Sequence, residues 1–155
     1  MTYVIDTSAV SALHKNFYRN RFPSLWKRFD KMVAEGRFTS CREASRELED
    51  LGGTAYDWAR ANSALFVTPD AKEGAFVAQI YRVKHFQANI ERQKLLKGGK
   101  CADPFLIARA HCIGGTVLTM EKLKPQAAKI PNICEHFKVE CVDLEKFMEI
   151  EGWEF

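Results

Sequence analysis

An α/β fold, three layers deep with a mostly parallel central sheet, is what this sequence predicts. Two short apolar runs, Tyr3-Val4-Ile5 and Val117-Leu118-Thr119-Met120, read as buried strands. Segments of helical periodicity alternate with them, which argues for right-handed crossovers and helices on both sheet faces. The 155 residues fit a single domain over 1–155, enough to bury roughly 70% of the unfolded surface.

The elements follow in order. Tyr3–Ile5 is the first strand, and Thr7 or Ser8 can cap a short helix over 9–13. A second helix covers 23–35. Its apolar Leu25, Trp26, Phe29, Met32 and Val33 share one face, with Pro23 in the first turn and Gly36 as the stop. Phe38-Thr39 is a minimal strand. Ser40 and Glu43 have capping-box spacing for a helix running to Leu51, which Gly52-Gly53 ends. A helix over 56–62 and a strand at Phe66-Val67 come next. Thr68-Pro69 then opens one long helix to Ile90, and 91–100 reads as a mobile basic loop. Asp103-Pro104 begins a helix that Gly114-Gly115 ends, and residues 116–120 form a buried strand. A basic loop, a short helix near 133–137, a strand at 140–142 and a helix over 144–151 complete the chain.

Bulk properties exclude some classes. The net charge of +3 is compatible with nucleic acid but weakly informative. Five scattered cysteines include no CxxC pair and no zinc spacing, so reduced thiols are expected. The chain shows no basic and apolar leader, and no apolar run approaches the ~20 residues of a membrane span. The expectation is a cytoplasmic protein without a membrane partner.

Four carboxylates stand at structural breaks. Asp6 ends the first apolar run, Asp103 precedes Pro104, Glu121 follows the second run, and Glu47 lies one helical turn after Glu43. Each has an ordinary alternative: Asp6 and Asp103 as helix caps, Glu121 as a loop acid, Glu47 as a solvated helix acid. Parallel α/β sheets gather such positions beyond the carboxyl ends of their strands. Clustered carboxylates repel, and a Mg²⁺ or Mn²⁺ ion relieves that conflict through oxygen ligands.

The motifs Tyr3-Val4-Ile5-Asp6-Thr7-Ser8, Ser40-Cys41-Arg42-Glu43-Ala44-Ser45-Arg46-Glu47-Leu48, Ala102-Asp103-Pro104-Phe105-Leu106-Ile107-Ala108 and Val117-Leu118-Thr119-Met120-Glu121 span nearly the whole chain. In order and spacing they resemble the PIN-domain ribonucleases, including the VapC-type toxins of toxin–antitoxin pairs. The segment from Ala102 to Glu121 is most similar to a less characterised PIN-like branch. The resemblance implies an acidic pocket with one or two Mg²⁺ or Mn²⁺ ions. Asp6 and Asp103 would be the principal ligands, Glu47 would complete the pocket, and Glu121 stands where the family usually has an Asp. Thr119, and Thr7 or Ser8, match positions that orient the acids or set a hydroxyl near the scissile phosphate. The implied reaction is endonucleolytic hydrolysis of RNA to a 5′-phosphate and a 3′-hydroxyl. The implied partners are the RNA substrate, a small antitoxin across the pocket and a second copy of the chain.

Lys94, Lys97, Lys100, Lys122 and Lys124 flank Asp103 and Glu121. They either line the strand path by phosphate contact or form a solvated basic loop. The aromatic residues Phe17, Tyr18 and Phe86 either stack bases or pack the core. A dehalogenase-like phosphatase needs an acid where Ser8 stands, and Gly98-Gly99-Lys100 lacks P-loop spacing. A non-catalytic PIN-like module that binds RNA or a protein is the alternative from another class.

Overall fold

The computed structural model describes residues 1–99 and 101–155, and it realises the predicted α/β/α architecture. Among the described residues the sheet has five strands: β1 (Tyr3–Ile5), β2 (Phe38–Cys41), β3 (Phe66–Val67), β4 (Thr116–Leu118) and β5 (Cys141–Val142). Their order across the sheet is β3-β2-β1-β4-β5, and every pairing is parallel.

That order fixes where a ligand can sit. The chain winds outward from β1 through β2 to β3, then returns to place β4 against the other side of β1. Tyr3, Val4 and Ile5 pair with Thr116, Val117 and Leu118. Strand order therefore reverses between β1 and β4, and the crevice beyond their carboxyl ends is the switch point of the fold. Asp6 and Thr119 are the first residues past those two ends.

Alternation along β1 divides the core in two. Val4 points into a cluster with Phe76 and Ile80 of α5 (Ala71–Arg82), Phe86 and Ile90 of α6 (Lys84–Leu96), Leu106 and Ile107 of α7 (Asp103–Ile113), and Ile130 and Ile133 of α8 (Ile130–Phe137). Tyr3 and Ile5 point the other way. They meet Leu13 of α1 (Thr7–Asn16), Trp26 and Phe29 of α2 (Pro23–Ala34), Trp58 of α4 (Gly53–Ala61) and Phe147 of α9 (Leu144–Glu151). The helix α3 (Arg42–Leu51) stands at the carboxyl edge and gives Ala44 to one cluster and Leu48 to the other. None of the described helices is long and apolar enough to cross a membrane.

Several element boundaries differ from expectation. The Ser40–Glu43 capping box does not form, because β2 runs on to Cys41 and the buried Ser40 hydroxyl donates 2.8 Å to the Ile5 carbonyl. A capping box forms instead at Asp70 and Glu73, where each side chain accepts the other's backbone N–H. The long helix expected to Ile90 is two helices, broken at Val83, whose ψ of 105° is extended. The basic stretch 91–100 is helical through Leu96 rather than a loop. The Gly114-Gly115 stop holds. Gly114 is left-handed, and a Cβ on Gly115 would meet the Thr2 carbonyl at 3.0 Å, so this turn delivers β4 tightly alongside β1.

Candidate active site

The carboxyl ends of β1 and β4 are joined by a hydrogen bond from the Asp6 N–H to the Leu118 carbonyl, 2.9 Å. Asp6 then occupies the N-cap position of α1, but its side chain does not cap the helix. Its Oδ2 instead accepts from the Ser8 hydroxyl at 2.6 Å and the Thr119 hydroxyl at 2.8 Å. A hydroxyl has one proton to give. With both protons spent on Asp6, Ser8 and Thr119 act as acceptors for the backbone, from Met120 N–H at 3.0 Å and Glu121 N–H at 3.1 Å. Thus Ser8 and Thr119 orient Asp6 and fold the β4–Glu121 segment over it.

Asp103 is the first residue of α7 and is 1% exposed. Its Oδ2 is buried and has no hydrogen-bond partner. Burial pushes its carboxyl well above the usual carboxylate range, and the charges of Asp6 and Glu121 push it further. Glu121 is raised too, first by burial and then by Asp6, against the pull of the Ile130 N–H, which its Oε2 accepts at 2.9 Å. Glu47, on α3, accepts the Ala102 N–H at 2.7 Å and so pins the turn that enters α7. The four carboxylates converge from four separate elements.

Lys97 follows the last residue of α6 and enters this cluster. Its ammonium is 3.7 Å from Glu47 Oε1 and 4.0 Å from Asp103 Oδ1. Burial works against its charge, but Asp103, Glu47 and Asp6 outweigh that and raise its pKa.

Asp6, Thr7, Ser8, Glu47, Lys97, Asp103 and Glu121 thus line one cleft of about 500 Å³. Ser11, Asp50 and Leu51 line it as well, and none of them is among the site residues the sequence predicts. Helical spacing was the available signal: Ser11 is three residues beyond Ser8 and Asp50 three beyond Glu47. The Thr7 hydroxyl is buried without a partner. Thr119 reaches the site through Asp6 rather than by lining the cleft. Lys122 is exposed in the loop after Glu121 and is not part of the lining, and Lys100 lies outside the described residues.

The donor set is oxygen-rich and suits a hard divalent cation. The orphaned Asp103 Oδ2 is the specific fit, because a buried acceptor with no donor is satisfied by a positive ion. Among the described residues, no three His, Cys, Asp or Glu side chains are already arranged to hold a metal. Backbone or hydroxyl donors hold one oxygen each of Asp6, Glu47 and Glu121, and Lys97 stands beside Glu47 and Asp103. Cysteine plays no part: all five are free thiols, and burial, aided by Asp103, pushes Cys101 up to about 12.

A family described as a domain of unknown function, DUF4411, matches residues 3–155. The chain belongs to the DUF4411 family. The match takes in every element that supplies the cleft, from Asp6 to Glu121. Among curated proteins none matches this DUF4411 chain.

Proposed function

We propose that the chain is a Mg²⁺- or Mn²⁺-dependent endoribonuclease of PIN type, acting as the toxin of a toxin–antitoxin pair in the cytoplasm. The observation that carries this reading is the orphaned, buried Asp103 Oδ2 in a cleft with Asp6, Glu47 and Glu121 at the switch point of a parallel sheet. A fold gains nothing from gathering three further carboxylates around a buried acid whose charged form is disfavoured. A cation-dependent reaction uses that arrangement.

Asp6, Asp103 and Glu121 would hold the ion, with Glu47 completing the pocket. A bound divalent ion supplies a water of lowered pKa and a counter-charge for the phosphodiester oxygens. The chain's own groups do the rest. Ser8 and Thr119 fix Asp6 in one orientation, so the ligand does not have to be ordered during the reaction. The buried Thr7 hydroxyl at the start of α1 is free to donate to a phosphate oxygen, where the helix dipole also favours an anion. The exposed lysines Lys122 and Lys124 continue a path for the strand. An antitoxin would inhibit by covering the same cleft.

The test is incubation of the purified protein with single-stranded and structured RNA in Mn²⁺, Mg²⁺ or EDTA, beside Asp6→Asn and Asp103→Asn. The expected result is metal-dependent cleavage leaving 5′-phosphates, lost in both variants and in EDTA. RNA binding that needs no metal, with no cleavage of any RNA, would replace the nuclease with a binding module.

A further inference from the structure

We propose that Lys97 is the second cation of this site: its ammonium takes the place of a second metal ion beside Glu47 and Asp103, so the cleft binds one divalent ion. The inference rests on the metal-dependent reading above and deepens it.

Two-metal sites hold their ions about 3.5–4 Å apart and share a carboxylate between them. Here Asp103 is the carboxylate placed to be shared, and its two oxygens are already divided. Oδ1 faces the Lys97 ammonium at 4.0 Å, while the buried Oδ2 has no partner. Glu47 falls on the ammonium's side, since its Oε1 lies 3.7 Å from Lys97 and accepts from Ala102. Asp6 and Glu121 fall on the other side. Each commits one oxygen to the protein, Oδ2 to Ser8 and Thr119 and Oε2 to Ile130, which leaves Asp6 Oδ1 and Glu121 Oε1 for an ion. The acids therefore split into a pair served by an ammonium and a set that shares Asp103 Oδ2. A second divalent ion would have to sit against the ammonium in a half-buried cleft, where like charges repel strongly.

The backbone places this ammonium. The Lys97 N–H donates 2.9 Å to the Gln93 carbonyl and so continues the α6 ladder, while Gly98 and Gly99 adopt left-handed φ values of 65° and 88° that turn the chain away. Lysine serves here better than a metal ion in one respect: its charge is covalently tethered and is present at any metal concentration.

The experiment counts bound Mn²⁺ by calorimetric titration, with free Mn²⁺ followed by electron paramagnetic resonance. It compares the wild-type chain, Lys97→Met, Lys97→Arg and Asp103→Asn, each checked for folding by near-UV circular dichroism. The expected result is one equivalent for wild type and Lys97→Arg, two for Lys97→Met, and loss of binding for Asp103→Asn. Two equivalents in wild type, or one in Lys97→Met at unchanged affinity, would overturn the inference and leave the nuclease reading standing. A Lys97→Met chain that still takes one Mn²⁺ but loses RNA affinity would make Lys97 a phosphate ligand instead. No Mn²⁺ bound by any variant would remove both readings together. Should Lys97→Met fail to fold, Lys97→Gln carries the same count.

Discussion

At the scale of single residues, the site trades stability for charge. Asp103 is buried with its pKa raised well above 3.8, so its ionised form opposes folding at neutral pH. The sign follows from linkage. The unfolded chain releases this proton first, so stability is lost as pH rises past the ordinary carboxylate value and is restored below it. Asp103→Asn is therefore expected to abolish metal binding yet stabilise the fold by about 1–2 kcal/mol at pH 7. That gain should vanish below about pH 4, where both states hold the proton. Thermal melts of both chains at pH 7 and pH 3.5 measure it; a destabilised variant at pH 7 would contradict the argument. Thr119→Val tests the orienting role. Removing one of the two donors to Asp6 Oδ2 should lower Mn²⁺ affinity about 10–100-fold while the fold persists. Equal affinities in a Mn²⁺ titration of the two chains would refute it. Asp6 was legible in the sequence, since an acid closing a three-residue apolar run lies at a strand end. The pairing of Lys97 with Glu47 was not, since 50 residues separate them and only the tertiary fold brings them together.

At the scale of elements, α9 is secured by a network remote from the cleft. Arg37, just before β2, makes a fork of two 2.8 Å hydrogen bonds to Glu151, and the Tyr3 hydroxyl donates to the same carboxylate at 2.8 Å. The Arg37 hydrogen bonds hold the Glu151 carboxyl below its usual 4.5. A depressed acid contributes stability that is present above 4.5 and lost as pH falls through its folded value. Glu151→Gln should thus cost about 2 kcal/mol at pH 7 and less in more acid solution, with cleavage by the folded chain unchanged. Denaturant unfolding at the two pH values checks the size and its decline. The elements themselves were mostly legible, because strands and helices of this chain have the periodicities their burial requires. Their joints were not. Ser40 matches an N-cap by identity, yet the pairing of β2 with β1 claims its hydroxyl for the Ile5 carbonyl. The 68–90 stretch keeps helical periodicity through Val83, and the bend comes from packing both halves on one sheet face.

At the scale of the whole molecule, strand order turns four separated acids into one site. The sequence suffices to expect a parallel sheet with ligands at its carboxyl edge. The order β3-β2-β1-β4-β5, which decides that β1 and β4 are neighbours, depends on long-range pairing that no local pattern encodes. The same topology sets the charge problem for a polyanion. The net charge is +3, but the cleft's lining is mostly acidic apart from Lys97. On the nuclease reading, further attraction for RNA would come from lysines outside that lining. Lys122 and Lys124, exposed beyond Glu121 and outside the lining of the cleft, are the candidates for this. Each phosphate contact to a single strand contributes about 0.7 to the slope of log affinity against log salt. Lys122→Gln with Lys124→Gln should therefore weaken RNA binding at low salt and flatten that slope by about 1.4. Mn²⁺ affinity should stay as in the parent chain, since neither lysine lines the cleft. Fluorescence anisotropy with a labelled single strand across a salt series measures the slope. An unchanged slope would place the strand on another face of the molecule. A flattened slope with Mn²⁺ binding intact would separate the surface that attracts RNA from the acids that act on it.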